Sequence, residues 1–100
     1  MKNFRTYQMA LELNRRAMTI KLRQPYRDQF LRAVLSVASN LAEGSGKSSV
    51  ADRRKFYEIA LGSFKEARVT IELLELKELD QITDNLGASL YCLCRSLSSP

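Results

Sequence analysis

The sequence contains no histidine and no tryptophan, and it has only two cysteines among its 100 residues. Without histidine the chain cannot form a Ser-His or Cys-His nucleophile pair, nor the Glu-x-x-His motif of metal-binding helical bundles. Cys92 and Cys94 lie two positions apart in a segment with helical periodicity, so their side chains face different directions and suit neither a mutual disulfide nor a zinc site. We therefore predict no metal, no cofactor and no enzymatic activity.

Turn-forming residues are also scarce, with four glycines and two prolines, whereas 45% of the residues are hydrophobic. This balance favours helices over a sandwich or barrel, which needs more turns. No apolar run approaches the roughly 20 residues that span a bilayer, and the charged first segment does not resemble a signal peptide. We expect one small, soluble, cytoplasmic domain without a membrane partner. A domain of this size buries only about two-thirds of its unfolded surface, so oligomerisation would add stability.

The charge is distributed unevenly along the chain. Residues 1–55 contain twelve basic and four acidic residues, a net charge of +8, whereas residues 56–100 contain four basic and seven acidic residues, a net charge of −3. A basic half predicts an acidic partner such as nucleic acid, or head-to-tail contact with the acidic half of another copy. The cations that we predict to contact nucleic acid are Arg15, Arg16, Arg23, Arg27, Arg32, Lys47, Arg53, Arg54 and Lys55.

Hydrophobic periodicity predicts four helices joined by short connections, and hence an all-α, antiparallel up-down four-helix bundle. The helices cover about residues 3–23, 26–43, 49–79 and 81–96, with Asn3 as the first N-cap. The first helix carries a second apolar stripe, and the long third helix is apolar around much of its circumference. Such helices typically have packing partners on more than one side. We predict an oligomer interface that contains Leu11, Met18, Leu22, Tyr57, Leu61 and Phe64.

The stretch EGSGKSS, residues 43–49, resembles the end of a phosphate-binding loop, but the match fails. That loop requires a glycine where Leu41 stands, and it follows a strand instead of a helix. A corner between two helices explains the same residues. Gly44 is predicted to end the second helix in the left-handed conformation, and Ser49 with Asp52 to form a capping box. An anion held at this exposed helix N-terminus, with help from Lys47 and Arg53, stays open as an alternative.

Two segments resemble a known family. SVASNLAEGSGKSS (36–49) and FYEIALGSFKEARVTIELLEL (56–76) are similar to the bacterial four-helix bundle proteins of the 23S rRNA intervening-sequence family. The first segment matches the family pattern S-N-[IL]-A-E-G-x-G-[KR]-x-S, and the second matches I-A-x-G-S-x-x-E. Arg53 and Tyr7 depart from the family, in which an apolar residue and a tryptophan are common. The positions that we assign to a structural corner from these motifs are Asn40, Glu43, Gly44, Gly46, Ser49, Asp52, Gly62 and Ser63.

The resemblance implies an antiparallel bundle that assembles into a ring, typically a homopentamer, with no enzymatic activity. It also implies a more distant similarity to the accessory proteins of diversity-generating retroelements, which are basic pentamers that work with a reverse transcriptase and nucleic acid. We therefore predict a non-enzymatic oligomeric scaffold that binds the backbone of RNA or DNA through its basic half. The alternative is a protein-interaction module without a nucleic-acid role, in which the basic residues only solvate the bundle or pair with acidic residues of other subunits.

Overall fold

The computed structural model describes residues 4–97, which form four α-helices and one short 3₁₀ turn and include no β-strand. The helices are α1 (Arg5–Thr19), α2 (Tyr26–Ser45), α3 (Val50–Leu73) and α4 (Asp80–Ser96), and the 3₁₀ turn Lys77–Leu79 leads directly into α4. Each helix packs against the next, and α4 packs back against α1. This part of the chain measures 41 × 22 × 20 Å. The predicted all-α, four-helix fold is confirmed.

Contacts between helix ends show that neighbouring helices run antiparallel. The hydroxyl of Thr6, at the start of α1, is hydrogen-bonded to that of Ser89 in the second half of α4. Near the start of α3, Arg54 Nη1 donates a hydrogen bond to the Leu97 carbonyl just after α4, at 3.1 Å. The rings of Phe4 and Tyr57, with centroids 5.9 Å apart, place the start of α1 beside the first turns of α3. The corner between α2 and α3 therefore lies at the same end of the bundle as Phe4 and Leu97.

The core follows the bundle axis and consists of one apolar stripe from each helix. The sequence periodicity predicts a core stripe on α2 that consists of Phe30, Val34, Val37 and Leu41. These four side chains are fully buried, because they recur at the three- and four-residue intervals that keep side chains on one helix face. Full burial of each large apolar side chain contributes about 1.5–3 kcal/mol to folding. The largest fully buried side chains are Phe30, Phe64, Leu13, Leu41, Leu79, Leu86, Leu90, Val34 and Val37.

The first helix ends earlier than predicted, at Thr19 instead of residue 23. Ile20 has an extended backbone, with φ −88° and ψ 132°, yet Ile20 and Leu22 still pack against the core from the connection to α2. Apolar spacing reports which side chains are buried, and it does not distinguish a helix from a connection that packs on the same core. The predicted N-cap Asn3 lies outside the described residues.

The third helix also ends early, at Leu73 instead of residue 79. Glu75 adopts the left-handed conformation with φ 54°. The Leu76 N–H then bonds to the Ile71 carbonyl at 2.9 Å, which is the six-to-one hydrogen bond of a Schellman motif. Glycine usually occupies the left-handed position of this motif, so the sequence carries no ordinary stop signal here. No helix within residues 4–97 combines the length and apolarity needed to cross a membrane.

Candidate nucleic-acid interface

The basic residues predicted to contact nucleic acid do not form one surface, because the bundle distributes them toward its two ends. We call the end where α2 joins α3 the corner end, and the end where α1 joins α2 and α3 joins α4 the opposite end. α2 has 20 residues and separates the two ends by about 30 Å. The corner end contains Lys47, Arg53, Arg54 and Lys55, and toward the opposite end lie Arg15, Arg16, Arg23, Arg27 and Arg32.

At the corner end, Gly44 has a different role from the one predicted. It lies inside α2, which continues to Ser45, and none of the glycines within residues 4–97 has a positive φ. A Cβ atom at Gly44 would lie 2.7 Å from Tyr57 Cε1 and 3.1 Å from Phe56 Cβ. The prediction of a left-handed stop is therefore wrong. Glycine is needed here because α3 approaches the backbone of α2 too closely for any side chain.

The other motif residues build the corner through local hydrogen bonds. Gly46 caps α2, and its N–H bonds to the Glu43 carbonyl at 3.2 Å. Ser49 is the N-cap of α3, and its hydroxyl accepts a hydrogen bond from the Asp52 N–H at 3.1 Å. This bond satisfies one of the N–H groups that a helix start leaves without an intrahelical partner. The N-cap role predicted for Ser49 is confirmed, but within residues 4–97 the Asp52 carboxylate makes no return hydrogen bond to the Ser49 N–H, so the capping box is incomplete.

The same motif connects the middle of α2 to the middle of α3. The Asn40 amide donates to the Ser36 carbonyl at 2.9 Å and to the Ser36 hydroxyl at 3.0 Å. The hydroxyls of Ser36 and Ser63 are 2.7 Å apart, one from each helix. Gly62 is exposed beside this contact, and a Cβ atom there would meet nothing within 4 Å. Asn40 and Ser63 therefore position the two helices, whereas Gly62 is not required for packing within one chain.

The cations of the corner end are engaged inside the chain. Lys47 pairs with Glu43 at 3.2 Å, and its ammonium lies 5.2 Å from the centre of the Phe56 ring. Arg53 Nη2 donates to the Lys47 carbonyl at 2.9 Å, and Arg54 Nη1 donates to the Leu97 carbonyl. The Lys55 ammonium lies 5.6 Å from the centre of the same Phe56 ring. A phosphate that binds at this end must compete with these partners.

On α1, one carboxylate neutralises two of the predicted cations. Arg15 Nη2 and Arg16 Nε lie 2.8 Å and 3.0 Å from the two carboxylate oxygens of Glu12. Hydrogen bonds from Arg15, and then from Arg16, hold the pKa of the Glu12 carboxyl below its usual value. The three side chains are partly exposed, so this arrangement has little effect on stability. Its main effect is to reduce the positive charge that α1 presents.

The cations around the connection from α1 to α2 differ from those predicted to contact nucleic acid on α1 and at the corner end, each of which contacts a carboxylate, a carbonyl or an aromatic ring. Within residues 4–97, these side chains make no ion pair and no hydrogen bond, and the nearest acid in the sequence, Asp28, is occupied by Gln24 at 3.1 Å. We call them the open basic cluster. Its members are Lys21, Arg23, Arg27 and Arg32. Lys21 was not among the predicted site residues, although it lies in the same connection as Arg23.

Part of the predicted oligomer interface is wrong. Tyr57 and Phe64 have only 4% and 0% of their surface exposed, because they fill the core of a single chain. They cannot contact a second subunit while this fold persists. Leu11, Leu22 and Leu61 are half-buried against the same core, whereas Met18 is 56% exposed.

A different apolar face is exposed along α3. Val69 and Leu73 are 61% and 65% exposed, and Ile59 is exposed on the same side. With Gly62 and Glu66 they recur at alternating intervals of three and four residues, the spacing of a coiled-coil seam. Leu35 of α2 is also exposed, and an open groove between α2 and α3 runs past Ser63 and Val69. We call Leu35, Ile59, Val69 and Leu73 the α2–α3 face. The sequence periodicity of α3 places Ile59 in the core stripe, but the structure leaves its side chain 43% exposed.

The two cysteines occupy different environments and are not bonded to each other. Cys92 is exposed, whereas Cys94 is buried and its thiol donates to the Tyr57 carbonyl at 3.5 Å. Burial, and secondarily the charge of Glu58, raise the pKa of the Cys94 thiol. Within residues 4–97, no three His, Cys, Asp or Glu side chains are grouped as a metal site requires.

An antiparallel helical bundle whose motif residues form a structural corner defines the class of small four-helix bundle proteins. More particularly, the chain belongs to the 23S rRNA-intervening sequence protein family, whose family model matches residues 2–99. The resemblance carried by the two motif segments is thereby confirmed. No curated protein is similar enough to this chain to count as a match.

Proposed function

We propose that this protein is a non-enzymatic, homo-oligomeric scaffold that binds the phosphate backbone of nucleic acid through the open basic cluster. The observation that supports this proposal is the contrast between cations. Those of the corner end have internal partners, whereas Lys21, Arg23, Arg27 and Arg32 have none among the described residues. The description of the family, a 23S rRNA-intervening sequence protein, fits an association with RNA.

Cations without internal partners are the most effective phosphate ligands, because no existing bond has to break first. Each phosphate that such a side chain neutralises releases counterions from the nucleic acid, so the affinity falls as salt rises. This mode requires no sequence reading. In an oligomer, each subunit adds another copy of the cluster, and copies that bind one strand together raise the affinity through their effective concentration.

A charge-matched pair of variants tests this function. Lys21→Ala/Arg23→Ala/Arg27→Ala removes three charges from the open basic cluster, and Arg5→Ala/Lys65→Ala/Arg95→Ala removes three exposed charges elsewhere. Fluorescence anisotropy with a labelled single-stranded RNA measures affinity and its salt dependence. We expect the first variant to lose about 10–100-fold in affinity and its salt slope to decrease by about 2–3. Equal losses in both variants, or no RNA binding by the native protein even at low salt, would contradict the proposal.

We further propose that the oligomer forms through the α2–α3 face, in a ring for which five subunits are the expected number. Exposed leucine and valine at coiled-coil spacing support this proposal, because contact with a second chain would remove them from water. Val69→Lys/Leu73→Lys is expected to reduce the mass measured by light scattering to that of a monomer. Tyr91→Lys, at an exposed aromatic position on α4, is the control and should leave the mass unchanged. A monomeric native protein would contradict the ring.

The second candidate function is a protein-interaction module without a nucleic-acid role. The α2–α3 face favours it, because the same exposed apolar residues can receive a helix of another protein. The two measurements above discriminate between the candidates. A monomeric protein that binds no nucleic acid at low salt would favour the interaction module.

A further inference from the structure

A cleft of about 550 Å³ opens at the opposite end, between the end of α1 and the turn from α3 to α4. Its volume lies within the roughly 300–1,000 Å³ range of small-molecule sites. Ile20 gives it a half-buried apolar side, and the core residues Leu76 and Leu79, only 9% and 1% exposed, lie at its floor. Lys21 comes from the α1 side and Glu78 from the other side. Arg16 also lines the cleft, but Glu12 holds its guanidinium.

Besides the donors Lys21 and Arg16, the cleft has two hydrogen-bond acceptors, the Glu78 carboxylate and the Thr19 carbonyl. The Glu78 carboxylate makes no ion pair or hydrogen bond within residues 4–97. α1 ends at the cleft, and the Thr19 carbonyl likewise has no partner within the described part of the chain. The carbonyls at a helix C-terminus carry a partial negative charge. A ligand therefore needs an apolar body and N–H donors, together with an anionic group for Lys21.

We infer that the cleft binds one unpaired nucleotide of a single-stranded nucleic acid. The base packs against Ile20 and donates its exocyclic amino group to Glu78, while its phosphate contacts Lys21. A duplex would keep the Watson–Crick edge of its bases hidden, so the nucleotide must be unpaired. This inference rests on the proposed function and specifies it, because Lys21 also belongs to the open basic cluster.

The proposed contact with Glu78 discriminates between bases. Cytosine, adenine and guanine carry an exocyclic amino group, whereas uracil has carbonyl oxygens at the corresponding positions. These oxygens flank the single N–H donor of uracil and oppose its approach to a carboxylate. The cleft is therefore selective for bases with an exocyclic amino group. The phosphate contact with Lys21 is the same for every nucleotide. Base preference and overall affinity thus depend on different side chains.

Two substitutions of acids separate this contact from a general effect of charge. The probes are short labelled oligocytidine and oligouridine RNAs and an RNA duplex of equal length. Native protein is expected to bind oligocytidine more tightly than oligouridine by about fivefold or more, and more tightly than the duplex. Glu78→Ala should abolish the preference for cytidine, whereas Glu72→Ala, which removes the same charge from an exposed position outside the cleft, should keep it. Lys21→Ala should weaken both single strands by the same factor.

NMR signals of methyl groups show where on the protein the RNA binds, independently of its affinity. Oligocytidine should shift the methyl signal of Ile20, and it should leave that of Leu61, which lies outside the cleft, unchanged. Equal affinity for oligocytidine and oligouridine, equal binding of the duplex, or a preference that survives in Glu78→Ala would overturn the cleft assignment alone. Absence of binding to every probe would instead overturn the proposed function on which it rests.

Discussion

The corner end and the opposite end contain similar numbers of basic residues, yet they differ in what those residues contact. At the corner end, Lys47 and Arg54 are held by a carboxylate and a backbone carbonyl, and Gly44 allows two helices to approach closely. At the opposite end, the open basic cluster has no internal partner among the described residues, and a cleft remains open. The difference shows that charge becomes available for binding only where the fold leaves it unpaired.

The largest expected effect comes from disturbing the corner end at Gly44. Gly44→Ala places a Cβ atom 2.7–2.8 Å from the edge of the buried Tyr57 ring, so the ring or α3 must move. Overpacking of this kind costs about 1–3 kcal/mol. Urea denaturation measures the loss. If Gly44→Ala were as stable as the native protein, the corner would be less closely packed than we describe.

Gly62→Ala is the matched control for that substitution. Gly62 is also a helical glycine, but it is exposed and a Cβ atom there meets nothing within 4 Å. Alanine in an open helical position is expected to stabilise a single chain by about 0.5–1 kcal/mol. The two substitutions should therefore have opposite signs when measured under conditions that keep the protein monomeric.

A smaller effect, with the opposite sign, is expected at the opposite end. Glu75 holds a left-handed backbone that costs a residue with a side chain about 1–2 kcal/mol relative to glycine. Glu75→Gly should therefore stabilise the protein by up to about 1 kcal/mol, because the flexibility of glycine in the unfolded chain offsets part of the gain. Glu72→Gly, one turn earlier inside α3, should destabilise it by about 1 kcal/mol. A loss of stability in both variants would show that Glu75 makes a contact that compensates for its strain.

The smallest effect concerns alkaline pH at the corner end. Burial raises the pKa of the Tyr57 hydroxyl, against an opposing effect of Arg53, and burial also raises the pKa of the Cys94 thiol. Each raised pKa contributes stability that is complete below the unfolded-state pKa and is lost as pH rises through the folded-state value, above about pH 8.5–10 for these groups. Tyr57→Phe should make the alkaline decrease in Tm shallower. Tyr91→Phe, at an exposed tyrosine, should leave that decrease unchanged.

The sequence was sufficient to predict the four helices, the α2 core stripe and the Ser49 cap, because each depends on local chemistry. It was insufficient at Gly44 and Glu75. A glycine near the end of a helical pattern predicts the end of the helix. Only the position of Tyr57 shows that Gly44 is needed for close packing of α2 and α3. At Glu75 the chain reverses at a residue that carries none of the usual signals for a left-handed turn.

The candidate site was predicted less completely, because its availability depends on contacts between distant residues. The sequence identified Arg23, Arg27 and Arg32, but it could not show that Arg54 is occupied by a carbonyl 43 positions away. Nor could it show that Lys21 lies in the connection after α1, beside a cleft formed with the turn before α4.

The contacts of Phe4 with Tyr57 and of Arg54 with Leu97 have a practical consequence for engineering. Because both contacts involve the first turns of α3, residues 4 and 97 both lie at the corner end. A short linker between them would close the chain into a circle that can be reopened at another connection, as in a circular permutant. Labels or surface attachments placed near either residue would lie about 20–25 Å from the cleft, roughly the lengths of α1 and α4. Immobilised protein would therefore present the opposite end to solution.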